Sequence, residues 1–129
     1  MAQNRTIAVR ASASLGSAGA QSSAFTNRDC RGIIVTVKNT AGSGSSPTLT
    51  VKLQEYVPGA GWVDVTGATT AAIAGGTPAT TTLVVYPGCI ASANAVVNRP
   101  LGKTWRLDYA IGGSSTPTVT FSVDAQLVG

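Results

Sequence analysis

Several runs of this chain alternate apolar with polar residues, which is the pattern of β-strands that bury one face. The apolar positions of the four clearest runs are Ile33, Val35 and Val37; Leu49, Val51 and Leu53; Trp105, Leu107, Tyr109 and Ile111; and Val119, Phe121, Val123, Ala125 and Leu127. Each run therefore predicts a strand that packs one face against a core.

Weaker runs extend the pattern. Residues 6–15 alternate small apolar residues with polar ones, residues 80–86 are rich in β-branched side chains, and residues 62–65 follow a Pro-Gly turn that returns the chain. About seven to eight short strands with turn signals between them predict an all-β fold, an antiparallel β-sandwich of the jelly-roll or immunoglobulin-like kind. Residues 87–101 are the one place for a short helical turn, with Ser92 as its cap.

Small residues mark the connections between these runs. Residues 39–47 predict an exposed, mobile loop, and the region around residues 1–23 is predicted to be a flexible N-terminal arm of a single domain that covers residues 1–129. Residues 44–51 and 113–120 resemble each other, since both pass from a small-residue turn through Pro-Thr into a strand. Two equivalent hairpins or a general bias toward Ser and Thr explain this similarity equally well.

The composition points to a weakly charged surface. The chain of 129 residues is 43% hydrophobic, but only 11% of its residues are charged and 5% are aromatic. Aliphatic side chains must therefore build the core, while Ser, Thr and Gly cover much of the surface. Such a surface suits a protein that packs against other proteins better than it suits a free enzyme.

Charge and hydropathy limit the classes of partner. Nine basic and five acidic residues give a net charge of +4. The basic residues are scattered along the sequence without interleaved aromatic residues, which argues against nucleic-acid binding. No run approaches the roughly 20 apolar residues of a transmembrane helix, and the N-terminal residues lack the apolar core of a signal peptide. We therefore expect synthesis in the cytoplasm and no membrane partner.

Catalytic chemistry has few candidate residues in this chain. It contains no histidine, which is the usual general base and the commonest metal ligand. Its five carboxylates are dispersed, without the spacing of a calcium loop or of a glycosidase pair. The sequence thus predicts no catalytic, cofactor-binding or metal site, and a protein that is not an enzyme. Arg106 and Asp108, two residues apart on one strand face, are predicted to form a surface ion pair.

Two cysteines and two tryptophans leave alternatives open. Cys30 and Cys89 predict either two buried thiols or one disulfide, since both lie at strand edges where segments of the chain meet. Trp105 alternates with Leu107 and is predicted to be a core residue. Trp62 follows the Pro-Gly turn, so it is either an exposed aromatic platform for a sugar ring or a core residue at a strand end.

Most of the chain resembles a family of small phage and prophage virion proteins of the kind that decorate capsids. The matching segments are Arg31-Gly32-Ile33, Ser46-Pro47-Thr48-Leu49, residues 51–54 (Val-Lys-Leu-Gln), residues 61–65 (Gly-Trp-Val-Asp-Val), Trp105-Arg106-Leu107, and residues 117–123. These are strand and turn motifs without a chemical signature, so the resemblance specifies a fold better than a position in a particle.

The resemblance implies a non-enzymatic β-sandwich without cofactors that binds the outer surface of an assembled phage head as a decoration protein and stabilises it. Its implied partners are the major capsid protein and copies of itself in a homotrimer, with synthesis in the host cytoplasm. The candidate contacts to an acidic capsid surface are Arg5, Arg10, Arg28 and Arg31. A neck or tail component of the virion is one alternative. A displayed carbohydrate-binding module that uses Trp62 is another.

Overall fold

Residues 4–129 are described by the computed structural model, and they form nine strands and no α-helix. The strands are β1 (Arg5–Gly16), β2 (Ala20–Gln21), β3 (Phe25–Thr26), β4 (Gly32–Val57), β5 (Gly61–Thr69), β6 (Ile73–Ala74), β7 (Ala79–Val85), β8 (Val96–Val97) and β9 (Thr104–Val128). The predicted helical turn is a hydrogen-bonded turn instead, in which the Ser92 carbonyl accepts from the N–H groups of Ala95 and Val96.

Two strands of unusual length carry the fold. β4 has 26 residues and β9 has 25, and they pair antiparallel from Gly32 opposite Val128 to Glu55 opposite Trp105. Their pairing shifts register near the middle, around residues 40–47 of β4 and residues 112–117 of β9. The two-stranded ribbon turns a corner there, so that its two halves face each other.

The corner depends on unusual backbone angles in both strands. Gly44 has a φ of 88° and Ser46 of 50° in β4, while Gly113 has a φ of 118° and Ser115 of 60° in β9. Glycine reaches such angles without a steric penalty, and short polar residues tolerate the left-handed region better than bulky ones. The small residues of these two segments therefore let the ribbon bend without ending either strand.

The two halves of the ribbon form the centres of two layers. The first layer contains, in order, β1, the C-terminal half of β9, the N-terminal half of β4, β7 and β8. The second contains β2 and β3, the N-terminal half of β9, the C-terminal half of β4, and then β5 and β6. This strand order is that of a jelly roll, which confirms the predicted β-sandwich and selects it over the immunoglobulin-like topology.

The core lies between the layers and consists of the alternating residues that the sequence predicted. All apolar positions of the four clearest runs are buried, and Trp105 is fully enclosed. Contact between the layers is direct, because the Tyr109 ring of the second layer meets the Phe121 ring of the first edge to face, with centroids 5.2 Å apart.

Two predictions about the connections differ from the structure, and the structure bears on a third feature. Residues 39–47 do not form a mobile hairpin loop, since they continue β4 through the corner beside β9. Most of the predicted N-terminal arm belongs to the sandwich, because β1 and β2 both pair with β9, while residues 1–3 lie outside the described residues. The two similar segments lie side by side at the corner, with Ser45 opposite Ser114. The similarity in sequence matches this placement, because both segments belong to the same two-stranded ribbon and both bend at its corner.

The phenol of Tyr109 predicts a loss of stability at high pH. Its hydroxyl is buried without a hydrogen-bond partner among the described residues, and burial raises its pKa to about 12 although the nearby Arg10 guanidinium lowers it. Its ordinary pKa is 10.0. Between these two values the unfolded chain loses the Tyr109 proton while the folded chain keeps it, so stability falls as pH rises.

We expect the free energy of unfolding to fall by up to about 2–3 kcal/mol more in the wild type than in Tyr109→Phe between about pH 10 and pH 12. Urea unfolding of both proteins across that range measures this difference. Below about pH 9 the variant is expected to be at least as stable as the wild type, because it removes a buried hydroxyl that has no partner. Parallel stability curves above pH 10 would contradict the prediction.

Candidate functional site: the basic end of the sandwich

One end of the sandwich collects cations from segments that are far apart in the sequence. Arg5 opens β1, Arg28 and Arg31 lie in the connection between β3 and β4, and Lys103 precedes β9. We call the surface formed by Arg5, Arg28, Arg31 and Lys103 the basic end. Backbone pairing brings its parts together, since Arg5 lies opposite Leu127 and the Arg31 N–H donates to the Val128 carbonyl at 2.9 Å.

The connection that carries Arg28 is held in one shape by a buried asparagine. The Asn27 side-chain amide donates to the Cys30 carbonyl at 2.8 Å, and its Oδ1 accepts from the Cys30 N–H at 3.1 Å. The Asn27 N–H also donates to the Lys103 carbonyl at 2.6 Å. These bonds close a short loop around Arg28 and Asp29 and fix it to the strand that Lys103 precedes.

The four cations of the basic end form no ion pair with any residue of the described chain. One carboxylate, that of Asp29, lies among them. The other acid of this end, Glu55, is largely buried and is already engaged, because it accepts from Arg99 Nη2 at 2.8 Å and from the Gly102 N–H. The basic end therefore presents a net positive charge to solvent.

Depressions in the surface lie between these cations. One of about 240 Å³ is lined by Asn4, Arg5, Asn27, Arg28, Asp29, Cys30 and Leu127. A shallower one of about 610 Å³ adjoins it and is lined by Thr26, Asn27, Arg28, Leu101 and Lys103. Both have charged walls and a buried leucine, a combination that suits a partner surface with matching acidic projections.

Exposed apolar side chains occur at the same end. Ile90, in the connection between β7 and β8, is 92% exposed, and Tyr56 and Val57 at the end of β4 are 49% and 43% exposed. These three are the exposed large hydrophobic residues of the described chain. Apolar projections beside unpaired arginines are typical of protein-protein contact surfaces.

The connections at the opposite end of the sandwich carry no charge. Its connections and corner are residues 17–19, 40–47, 70–78 and 112–117, and none of these contains a charged residue. The Asn39 side-chain amide holds the connection between β6 and β7 against the corner by donating to the Thr77 carbonyl at 2.7 Å and to the Ala74 carbonyl at 3.2 Å. The molecule is thus polarised along its length.

Three of the four predicted arginines meet at the basic end, and the fourth does not. Arg10 lies between two register shifts of β1, and its guanidinium carbon sits 4.4 Å from the centroid of the Phe121 ring and 5.7 Å from that of Tyr109. Its Nη2 also donates to the Ala13 carbonyl at 3.1 Å. Arg10 therefore covers the edge of the core, in a cation-π arrangement.

The predicted ion pair between Arg106 and Asp108 is wrong, because each side chain turns to a neighbouring strand. Arg106 donates to Gln54 Oε1 at 2.8 Å, whereas Asp108 accepts from Gln21 at 2.7 Å and lies 3.8 Å from Lys52 Nζ. Lys52 also contacts Asp64 at 3.1 Å. Hydrogen bonds from Gln54 and Lys52 lower the pKa of the Asp64 carboxyl. The charged side chains on this outer face of the second layer are therefore paired with one another or hydrogen-bonded to neighbouring side chains.

Trp62 is half-buried and lies next to Arg106 at the end of this network of charged side chains. The Arg106 guanidinium lies 4.4 Å from the centroid of its ring, and Tyr56 meets the ring edge to face at 5.5 Å. One face of the indole is therefore covered by a cation, which leaves less flat surface for a sugar ring to stack on than an uncovered platform offers.

The two cysteines are not joined by a disulfide in this structure. Cys30 is buried in the wall of the smaller depression, while the half-buried Cys89 directs its Sγ to the Tyr86 carbonyl at 2.9 Å. Within residues 4–129, no three His, Cys, Asp or Glu side chains lie close enough together to hold a metal ion. No helix long and apolar enough to cross a membrane occurs in that part of the chain.

Sequence reasoning missed Lys103 and Ile90 as members of this site. The signal for Lys103 was its position directly before a strand, which it shares with Arg31 before β4. Charged residues that flank a strand mark its exposed ends, yet the sequence does not say which strand ends lie together. Nothing in the local pattern distinguished Ile90 from a core residue.

Comparisons with known proteins find similarity at the level of the fold. No protein-family model matches the chain, and no curated protein does either. A chain in the structure of infectious bursal disease virus strain Gx superposes with a TM-score of 0.59 at 12% identity over 98% of this chain. A chain of the Gt strain of that virus gives 0.53 at 16% identity, also over 98% of this chain. This chain spans about a third of each, 32% of their length.

These likenesses show the fold alone, because the identities are low. A carbohydrate-binding module of the CBM4 type is also similar, with a TM-score of 0.47, 13% identity, and coverage of 78% of this chain and 56% of that one. That score is too low to carry an argument. The jelly roll of this chain is thus one that a virus chain also has, and the function must be argued from the surface.

Proposed function

We propose that this protein is a structural, non-enzymatic component of a tailed phage virion that binds the outer surface of the assembled head as a decoration protein. The observation that carries the proposal is the basic end, where four cations form no ion pair within residues 4–129 and the exposed Ile90 lies nearby, while the connections of the other end are uncharged. The proposed partners are the major capsid protein and further copies of this chain, as a homotrimer at positions of local symmetry.

The fold and composition support this role. A jelly roll with one basic end and one uncharged end has a surface suited to an acidic partner and a weakly charged surface suited to close packing. Many copies on one shell multiply weak individual contacts, because a bound copy that bridges neighbouring subunits resists their separation. The proposed location is accordingly the virion surface, after synthesis in the host cytoplasm.

Co-sedimentation with phage heads that lack this protein tests the proposal. Purified protein is mixed with such heads, the heads are pelleted, and the bound copies are counted by quantitative mass spectrometry. A decoration protein saturates at a copy number that scales with the number of capsid subunits, and it raises the temperature at which heads release their DNA. Binding that saturates at a few copies, or binding to tails only, would contradict the proposal and favour a neck or tail component.

A charge reversal at the basic end predicts which surface faces the head. We expect Arg31→Glu to raise the concentration for half-saturation of heads about tenfold, since it replaces an attraction with a repulsion at each copy. Lys38→Glu is the matched control, because Lys38 is also exposed and unpaired but lies on the first layer opposite Thr80. It is expected to bind like the wild type. Equal losses in both variants would mean that only net charge matters, and that the basic end is not the contact.

A further inference from the structure

The smaller depression at the basic end has unused hydrogen-bond donors on its wall. Neither the Arg5 nor the Arg28 guanidinium group donates to any residue among residues 4–129, and each carries five N–H groups in a planar fork. That fork matches the two oxygens of a carboxylate. The depression therefore presents hydrogen-bond donors that suit an anion.

The surroundings make these donors effective. Leu127 contributes to the wall of the depression and is almost completely buried, so part of the lining is apolar and strengthens a charge interaction above it. The Asn27 bonds to Cys30 hold the backbone that carries Arg28 before any ligand arrives. A cation presented on a fixed loop loses less freedom on binding than one on a mobile loop.

The lining also indicates the kind of anion. None of the described residues that line either depression is aromatic, so among residues 4–129 a nucleic-acid base finds no ring to stack on there. Asp29 shares the wall with the two arginines and repels a chain of closely spaced phosphates more than it repels one carboxylate. The volume of about 240 Å³ fits one side chain rather than an extended polymer.

We propose that the depression between Arg5 and Arg28 is a carboxylate-binding pocket, which receives one Asp or Glu side chain from an acidic segment of the partner protein. This inference rests on the proposed function for the identity of the partner, and it adds the group that is recognised and the two residues that recognise it. Lys103, on the adjoining depression, attracts neighbouring acidic residues of the same segment.

Titration of the isolated protein with a capped oligoglutamate peptide tests the pocket without any phage component. Backbone amide NMR shifts are followed for the wild type, for Arg28→Gln and for Lys38→Gln. We expect shifts that centre on residues 27–30 and on Arg5, and affinity that falls as salt is added. Arg28→Gln should bind about tenfold more weakly or worse, since it removes charged hydrogen bonds, whereas Lys38→Gln should bind like the wild type.

The second arm of the test separates carboxylate from phosphate recognition. An oligothymidylate of the same formal charge as the peptide is titrated in the same way, and it is expected to bind more weakly. Tighter binding of the oligonucleotide at these residues would overturn the proposal and indicate a nucleic-acid partner. Shifts elsewhere on the molecule, or equal affinities for the wild type and Arg28→Gln, would overturn it as well.

Failure of the pocket and failure of the proposed function give different results. If the double variant Arg5→Gln/Arg28→Gln saturates heads as the wild type does, the decoration role stands and the pocket is wrong. If the peptide binds as expected and heads do not bind at all, the pocket stands and the partner is another acidic protein. Unchanged far-ultraviolet circular dichroism of each variant shows that the fold is intact.

Discussion

Replacing Trp105 with Ala is expected to lower the free energy of unfolding by about 3–5 kcal/mol, the largest effect of any single truncation in this chain. Trp105 is the largest of the fully buried side chains, and its ring stacks on Phe25 with centroids 4.8 Å apart. Its indole N–H has no hydrogen-bond partner among the described residues. The loss therefore comes from packing and from the cavity left behind, and no hydrogen bond is broken.

Trp62→Ala is the matched control for this substitution. Trp62 is half-buried on an outer face, where it loses the contact with Arg106 and part of its packing, so we expect about 1 kcal/mol. Urea unfolding followed by circular dichroism measures the loss of stability in both variants. Tryptophan fluorescence is not comparable between them, because each variant lacks a different one of the two tryptophans. Equal losses would show that Trp62 carries as much of the core as Trp105 does.

Gly113→Ala is expected to cost about 2–5 kcal/mol, because it combines an unfavourable backbone angle with a steric clash. Gly113 has a φ of 118°, and a β-carbon there would lie 2.9 Å from the carbonyl oxygens of both Ser45 and Ser46. These oxygens belong to the backbone of the opposite strand at the corner. The clash can be relieved only if the two strands of the ribbon separate.

Two other glycines isolate the parts of this effect. Gly59→Ala has a similar angular cost, with a φ of 89°, but a β-carbon there meets no atom within 4 Å, so we expect about 1 kcal/mol. Gly76→Ala has neither a positive φ nor a close neighbour and is expected to change stability by less than about 0.5 kcal/mol. Thermal or urea unfolding of the three variants gives the order. If Gly113→Ala lowers the free energy of unfolding no more than Gly59→Ala does, the backbone at the corner moves apart without a measurable loss of stability, and the prediction is wrong.

The sequence predicts which residues of each strand face the core. It does not predict where a strand bends or which layer each half of it joins. Burial of Leu49, Val51 and Leu53 follows from alternation within a few residues, and so does the turn at Gly59. The corner of β4 has the small polar residues of an ordinary loop. Whether such a segment ends a strand or bends it depends on the pairing of Ser45 with Ser114, which is 69 positions further along the chain.

The residues of the candidate site were also only partly predictable, because their grouping depends on the same long-range pairing of strands. Arg5, Arg28 and Arg31 are candidate contacts to an acidic surface because they are basic, and the sandwich brings all three to one end. Arg10 differs because register shifts on either side of it rotate its side chain over the core edge. Alternation alone gives no sign of such a bulge, since one extra residue reverses the face of every residue after it.

The ribbon of β4 and β9 also determines how this protein gains and loses its structure. Residues 32 and 128 are among its paired positions, so closing the ribbon joins segments that are 96 positions apart in a chain of 129 residues. Folding that depends on such distant pairings is slow, since loop closure must precede the contacts that reward it. Each long strand contributes to both layers, so we expect the two layers to open together. Amide hydrogen exchange should therefore release the centres of both layers in one event.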